Sequence, residues 1–514
     1  MTAAATPSPF DPLRLTVFSN AIAMVAEEMG TVLERGSLSP NIRERRDASS
    51  ALFDARGRMV AQAAHIPVHL GAMPESVKAV MQCEPLVGEV FLLNDPNHGG
   101  SHLPDLTMIE VIGEGDQIVG FAAVRAHHAD VGGMSPGSMP FGATELVQEG
   151  LIVPPVRIAT GDEWNRDVLG IVLANVRTPE ERLGDLRAQR AACAAGRAGW
   201  LALRAREGAV VVDAACDALL AYTARRALAR VAALGEIRGS ARDALEGDGV
   251  TEDDVTVAVS LRTEAGRLVL DFDGTSPMVA GNVNCPAAVV RAAAVFVLRT
   301  LLDDDVPTND GIARALRLII PEGCAINARW PAAVAAGNVE MSTRITDTIF
   351  AALASAGVSA PAQGQGTMNN ITFGGRGWTF YETLGGGQGA SERGPGPSAV
   401  HVTMSNTRNT PIESLEHAYP LRIEEYSIRE NSGGTGRHAG GDGVVRRYRV
   451  LERCTVTLLT ERRRHAPQGA AGGGPGHTGR NLLNGEPIPA KCRLELNPGD
   501  VVSVMTPGGG GWGR

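Results

Sequence analysis

The sequence predicts a mixed α/β (α+β) protein built from several subdomains. The chain has 514 residues, more than one hydrophobic core normally organises. Segments with helical spacing of apolar residues alternate with short runs typical of strands, and glycine dominates the last third of the chain. Hydrophobic residues make up 44% and charged residues 20%, as expected of a globular protein.

These patterns divide the chain into four regions. We expect, in order, an N-terminal α/β region that carries a metal-site hairpin, a helical segment, a central α/β region, and a β- and glycine-rich C-terminal region, with bounds 1–178, 179–248, 249–364 and 365–514. Thr178 and Pro179 suit the N-cap and first turn of the helical segment, which is expected to run to about residue 234.

Within the N-terminal region, apolar positions predict a helix over residues 13–34. A tight turn at Asp54–Gly57 then separates two short strands. Residues 89–93 form the next strand. A polar loop, 94–105, leads into a hairpin whose strands are predicted at residues 106–112 and 117–128.

The rest of the chain is expected to hold a hairpin at residues 255–262 and 267–272, a helix over 285–303, and short strands near the C-terminus. The glycine run Gly385–Gly389 could cradle an anion through its backbone N–H groups. It does not lie between a strand and a helix in the pattern of a dinucleotide-binding loop, so it is a weak nucleotide signal.

Charge and composition exclude several classes of function. A net charge of −9 argues against binding to nucleic acid or to an anionic membrane. No apolar run is long enough to span a bilayer, and the start of the chain lacks a basic region, so we expect a cytoplasmic protein. The seven cysteines include no CxxC pair, which disfavours a thiolate zinc site. No GxxxxGK[ST] motif is present, so any ATP is expected to bind another chain.

Histidine is concentrated in one part of the sequence. Six of the eleven histidines fall between residues 65 and 128, and Asp95, Asp105 and Asp130 lie among them. Imidazole and carboxylate groups form the usual nitrogen and oxygen ligand set of a divalent transition metal. The sequence therefore places the chemistry of this protein in the polar loop and the hairpin that follows it.

The hairpin narrows the choice of ligands. If Ile112 pairs with Ile118, paired residue numbers sum to 230, and His102 lies opposite His128. Successive side chains point to opposite faces, so only one of His127 and His128 can face His102. This register selects His128, and a slip of one residue would select His127 instead. Pro104 should end the regular pairing, so that a bend brings Asp105 round. We therefore predict that His102, Asp105 and His128 hold a metal with open coordination positions.

The remaining polar residues of the cluster receive other roles. Asp95, His98, His127 and Asp130 are the candidates for orienting ligands or moving protons. His65 and His69 are interpreted as structural, since Pro67 and Gly71 indicate a tight loop around them.

Long motifs in the chain resemble the hydantoinase B family. They begin with Asn41–Arg45, Ala64–Gly71, Asn94–Asp105 and His127–Gly133, and continue with Gly337–Glu340, Asn409–Glu413 and Gly440–Gly443. The likeness extends from about residue 10 to the C-terminal glycine tail. The family includes hydantoinase and N-methylhydantoinase subunits, the C-terminal half of 5-oxoprolinases, and subunits similar to the alpha subunit of acetone carboxylase.

The resemblance implies an ATP-dependent hydrolase of cyclic amides such as hydantoin, N-methylhydantoin or 5-oxoproline. It implies a hydantoinase A-type partner that binds ATP and Mg²⁺ and phosphorylates the amide oxygen, in a hetero-oligomer such as α2β2. The acetone carboxylase-like members carry a metal on a His-x-x-Asp and a later histidine, a pattern that His102, Asp105 and His128 match. Zinc, manganese and iron all suit such ligands.

Two alternatives stay open at this stage. The chain could belong to a ketone carboxylase, in which bicarbonate-derived carbon rather than water attacks the activated carbonyl. It could also be a non-catalytic scaffold whose histidines are structural.

Overall fold

The structure is a computed structural model that describes residues 11–64, 66–69 and 71–514. His65, which we interpreted as structural together with His69, lies outside the described residues. The described part is a mixed α/β molecule with four sheets, which confirms the predicted fold class.

The first unit is a seven-stranded sheet flanked by helices. Its strand order is β2-β1-β5-β4-β3-β6-β7. The strands are β1 (Ala48–Asp54), β2 (Met59–Ala64), β3 (Glu89–Leu93), β4 (Asp105–Glu114), β5 (Gln117–His127), β6 (Val156–Thr160) and β7 (Glu163–Trp164). The helices are α1 (Pro12–Gly36), α2 (Pro40–Arg43), α3 (Met73–Met81), α4 (Arg166–Ala174), α5 (Pro179–Glu207) and α6 (Ala209–Ala233).

Both faces of this sheet are covered, which explains why the central strands β4 and β5 carry buried apolar residues on both sides. The larger core lies where apolar residues of α1, α5 and α6 pack on one face, and α3 packs on the other. The predicted first helix, the turn at Asp54–Gly57 and the hairpin are all present. The predicted helical segment contains two helices, because Gly208 adopts a positive φ of 91° between α5 and α6.

The second unit is a four-stranded sheet of order β11-β10-β9-β8. Its strands are β8 (Arg238–Leu245), β9 (Val255–Glu264), β10 (Arg267–Asp271) and β11 (Leu316–Ile319), and its helices are α7 (Ala287–Leu301) and α8 (Ser342–Ser355). We assigned residues 238–245 to the helical segment, but they pair with β9 and so belong to this sheet. Helix α8 continues directly from a π-helical turn, Gly337–Met341.

The third unit is a pair of facing sheets, of order β13-β12-β16-β19 and β14-β15-β20-β17-β18. Its elements are β12 (Asn370–Gly375), β13 (Trp378–Glu382), α9 (Ile412–Ala418), β14 (Leu421–Arg429), β15 (Gly443–Val450), β16 (Cys454–Leu459), β17 (Arg480–Leu483), β18 (Glu486–Ile488), β19 (Lys491–Leu496) and β20 (Val501–Met505). Their apolar faces share one core.

The glycine-rich loops of this unit bind one another through their backbones. The N–H groups of Gly386, Gly387 and Gln388 donate to the carbonyls of Val400, Pro507 and Pro397. These three N–H groups are therefore already used and are not available to an anion. A Cβ on Gly387 would lie 1.9 Å from the Gly441 carbonyl oxygen, so close backbone approach requires glycine there.

Candidate metal centre

The site forms where two paired strands meet a loop. Asp105 is the first residue of β4 and His127 the last of β5, and the two are directly paired. His102 lies three residues before the strand, and its Nε2 is 3.1 Å from Asp105 Oδ1. His127 Nδ1 is 3.2 Å from the same oxygen. All three residues are buried, and their ligand atoms lie within 4.8 Å of one another.

Asp105 is the centre of this cluster. Its other oxygen, Oδ2, accepts hydrogen bonds from Ser101 Oγ at 2.7 Å and from Asn338 Nδ2 at 3.1 Å. His69 Nε2 lies 3.4 Å from the same oxygen. Burial alone would raise the pKa of Asp105, but His102, with the hydrogen bonds of the surrounding histidines, holds it well below the usual value. The carboxylate is therefore ionised among three imidazoles.

The imidazole nitrogens fit a cation. His102 Nδ1 is 3.1 Å from the Ala335 carbonyl oxygen, to which only a protonated nitrogen can donate. That bond leaves Nε2, the nitrogen beside Asp105, as the potential ligand, as in many histidine metal sites. His102 Nε2 faces Asp105 Oδ1 without the geometry of a hydrogen bond, and the buried Nε2 of His127 has no hydrogen-bond partner in the described part of the chain. A divalent transition metal held by two imidazoles and a carboxylate would satisfy this arrangement.

The predicted hairpin register was wrong. Beyond a bulge between Ile112 and Gly113, Ile112 pairs with Gly120 and Asp105 with His127, so paired numbers sum to 232 rather than 230. Regular pairing does end at Pro104, as predicted, because β4 begins at Asp105. His102 consequently contacts Asp105 from the loop before β4, and it is not paired with a residue of β5 as the predicted register required.

His128, which we expected to be a metal ligand, faces away from the cluster. Its Nε2 is 2.9 Å from Oε1 of Gln189, a residue of α5. Gln189 in turn donates to the backbone carbonyls of Leu106 and Val124. His127 ends β5 and His128 follows directly after it, so the two side chains point in different directions. The structure gives His127 the position that we had assigned to His128.

Three further candidate residues have other partners. Asp95 accepts from the Asn97 backbone N–H and lies 2.7 Å from Nδ1 of the half-exposed His98. Asp130 accepts from the backbone N–H groups of Gly132, Gly137 and Arg177 and pairs with the Arg177 guanidinium at 2.9 Å. These contacts stabilise the loops on either side of the hairpin and do not include His102, Asp105 or His127.

A cavity of about 20 Å³ adjoins the cluster. This volume has room for about one water molecule. Besides Asp105 and His127, its polar lining consists of Asp47, His69, Asn338, Tyr381, Thr383, Ser405 and Thr407. The Tyr381 ring stacks on that of His127, with centroids 4.6 Å apart. Burial raises the pKa of Asp47 to about 7, although Arg45 opposes the shift.

Sequence reasoning missed most of this lining. His69 was interpreted as structural, although the motif Ala64–Gly71 already marked its loop. Asn338 lies in a motif to which no role was given, and it belongs to the π-helical turn, a type of irregularity frequent at functional sites. Gly337 allows that turn, since a Cβ there would lie 1.8 Å from the Asn284 carbonyl oxygen. No local signal marked Thr383 or Ser405, which reach the cavity from the third unit. Thr407 begins a polar block, residues 407–413, for which the sequence leaves a loop-forming and a substrate-contacting role equally open.

The fold and the cluster of His102, Asp105 and His127 together define a protein of several subdomains with a buried histidine–aspartate site. The chain belongs to the hydantoinase B/oxoprolinase family, whose model matches residues 11–514. It is 38% identical to an uncharacterised protein of Methanocaldococcus jannaschii, over 98% of this chain and 91% of that protein. It is 36% identical to 5-oxoprolinase 1 of Arabidopsis thaliana, over 98% of this chain but only 42% of the plant protein.

Two solved structures share the fold. The ATP-dependent caprolactamase from Pseudomonas jessenii superposes with a TM-score of 0.91 at 26% identity, covering 98% of this chain and 91% of that one. Acetone carboxylase in its nucleotide-free form gives a TM-score of 0.84 at 19% identity, covering 97% of this chain and 75% of that one. At that identity the second likeness is one of fold alone. Within the described residues, no helix has the length and apolar character to cross a membrane.

Proposed function

We propose that this chain is one component of an ATP-dependent cyclic amide hydrolase acting on hydantoin, 5-oxoproline or a related lactam. The observation that carries the proposal is the buried cluster of His102, Asp105 and His127 in a member of this family. Relatives named 5-oxoprolinase and caprolactamase support the substrate class.

The proposed complex needs a second component for ATP. The chain spans about two-fifths of the length of the plant 5-oxoprolinase, so more than half of that enzyme has no counterpart here. The sequence also lacks a phosphate-binding loop with its lysine. We therefore assign ATP and Mg²⁺ to a hydantoinase A-type partner, which would transfer the γ-phosphoryl group to the amide oxygen. One water then adds to the carbonyl carbon and the ring C–N bond breaks, which leaves a free amine and an acyl phosphate. A second water hydrolyses the acyl phosphate to the open-chain carboxylate and phosphate.

In this scheme His102, Asp105 and His127 hold a zinc, manganese or iron ion. Such an ion, when bound, supplies Lewis-acid polarisation and favours ionisation of water. Asn338 and Ser101 fix the Asp105 carboxylate, and the Ala335 carbonyl fixes the His102 ring. Roles for Asp95, His98 and Asp130 in orienting ligands or moving protons stay predictions. Because the cavity holds about one water molecule, its walls must separate to admit a cyclic amide.

The test is ring opening by the complex. The chain is purified with a hydantoinase A-type subunit, and ATP hydrolysis and ring opening are measured separately with 5-oxoproline, hydantoin and caprolactam. We expect His102→Ala to abolish ring opening and metal binding, while the exposed His417→Ala variant behaves as wild type. Full ring opening by His102→Ala without bound metal would contradict the proposal.

A further inference from the structure

A chain of hydrogen bonds runs along the cavity wall that the third unit supplies. Thr383 follows β13, and His401, Ser405 and Thr407 lie in the loop before α9; we call these four residues the hydroxyl wall. Thr383, Ser405 and Thr407 are buried and line the same cavity as Asp105 and His127. Of the four, only Thr407 lies in a stretch that the sequence singled out, the polar block 407–413.

The members of the hydroxyl wall are linked in one line. Arg45 Nη2 donates to Thr383 Oγ1 at 2.8 Å, and Thr383 Oγ1 is 2.8 Å from Thr407 Oγ1. Thr407 Oγ1 is 3.3 Å from His401 Nε2, and His401 Nδ1 is 2.8 Å from Ser405 Oγ. In the described part of the chain these three hydroxyls have no other hydrogen-bond partner.

Counting hydrogens shows that one is left over. A neutral imidazole and three hydroxyls carry four hydrogens between them. His401 is neutral, since burial, with a smaller effect from Arg45, lowers its pKa to about 3. Only three links join the four groups, and Arg45 adds a further donor at one end but no acceptor. One hydroxyl hydrogen must therefore point away from the line, and every hydroxyl of the line borders the cavity.

The charge of Arg45 selects which hydroxyl carries that hydrogen. The guanidinium is buried and always protonated, and it lies against Thr383. Hydroxyl dipoles beside a cation turn their oxygen toward it and their hydrogen away. Each group then donates to the next: Thr383 to Thr407, Thr407 to His401 Nε2, and His401 Nδ1 to Ser405. The unused hydrogen is that of Ser405.

We propose that the hydroxyl wall is a binding subsite for an electron-rich oxygen of the substrate, with the Ser405 hydroxyl as its donor. The identification of that oxygen as the activated amide oxygen rests on the proposed function. Ser405 contacts the substrate, whereas Thr383, Thr407 and His401 are positioning residues that fix the direction of its hydrogen. Arg45 strengthens the donor by polarising the whole line.

The first arm of the test reads the tautomer of His401 in the purified chain. Histidine labelled with ¹⁵N is incorporated, and His401→Gln assigns the signal. We expect the Nδ1–H form, which is the less common tautomer of free imidazole side chains. Ser405→Ala removes the acceptor of Nδ1–H and should shift His401 toward the Nε2–H form. Detection of Nε2–H in the wild type would overturn the proposed direction of the line.

The second arm uses the complex with its ATP-binding partner and 5-oxoproline, hydantoin and caprolactam as probes. Loss of one donor to a developing oxyanion costs about 10²-fold in kcat, and we expect that loss for Ser405→Ala and for Thr407→Val. Thr407→Ser keeps the hydroxyl and should retain most activity, and the exposed Ser427→Ala is the control. Bound metal should not change in any variant.

Full activity of Ser405→Ala and Thr407→Val would overturn the subsite. If the wild-type complex opens none of the three cyclic amides, the proposed function fails. The tautomer of His401 then still tests, independently, whether the hydroxyl wall presents the Ser405 hydrogen to the cavity.

Discussion

Asp105 holds the site together because its carboxylate contacts five polar groups of the surrounding residues. Its two oxygens face three imidazoles, one amide and one hydroxyl, all from buried residues. A buried carboxylate is costly unless it is paired, and here histidines and hydrogen-bond donors supply the pairing. The groups that do not bind the metal still set the orientation of the carboxylate, and such partners contribute strongly to metal affinity.

The amide of Asn338 provides a test of that contribution. Asn338→Leu keeps the approximate size of the side chain but removes the donor to Asp105 Oδ2. We expect metal affinity to fall by about 10- to 100-fold, the range found when such supporting contacts are lost. Competition with a chelator measures the change. The exposed Asn175→Leu variant should keep wild-type affinity, and equal affinities for the two variants would show that Asn338 does not support the site.

At the level of elements, the sequence predicted those helices, strands and turns that the spacing of apolar residues and the turn residues determine. Helix α1, strand β3 and the β4–β5 hairpin were all foreseen from local patterns. The register of the hairpin was not, because a bulge beside the turn shifts pairing without leaving a clear sequence signal. That shift explains why His102 was expected opposite His128, whereas the structure pairs Asp105 with His127.

The π-helical turn at Gly337–Met341 shows the same limit. The sequence marked Gly337–Glu340 as a motif but gave no reason for it. In the structure the turn carries Asn338 to Asp105 and Glu340 to the third unit. Both contacts join residues more than 25 positions apart in sequence, and local patterns do not encode partners at that distance.

At the scale of the whole molecule, buried charges join the second and third units. Arg344 on α8 and Arg462 after β16 both bind Asp243 of β8. Lys491 of β19 pairs with Glu461. Glu340 belongs to this region, since its Oε1 accepts from Asn370 Nδ2 at 2.7 Å, while its buried Oε2 has no partner in the described residues. Removing one partner of a buried charge pair is far more harmful than the pair is stabilising.

Glu340 predicts a pH dependence of stability. Burial, with the neighbouring Glu461 charge, raises the pKa of Glu340 from 4.5 to about 8. Between those values the folded chain keeps a proton that the unfolded chain has lost, so this group lowers stability as pH rises. Between these two pH values, Glu340 should lower the free energy of unfolding by an amount on the order of 2–4 kcal/mol. Glu340→Gln is uncharged at every pH and should reduce this loss.

Thermal unfolding at about pH 5 and about pH 8 measures the effect. We expect the difference in Tm between the two pH values to be smaller for Glu340→Gln than for the wild type. Glu28→Gln, an exposed substitution on α1, should leave the difference unchanged. An unchanged difference in Glu340→Gln would mean that Glu340 is ionised in the folded chain.

The central claim is that His102, Asp105 and His127 form a metal site, and elemental analysis of two neighbouring variants tests it most directly. The chain is purified after growth with zinc, manganese and iron, as wild type, His127→Ala and His128→Ala, with circular dichroism to confirm folding. We predict about one transition metal per chain in the wild type and in His128→Ala, and none in His127→Ala. Absence of metal from the wild type, or its loss in His128→Ala but not in His127→Ala, would contradict the account.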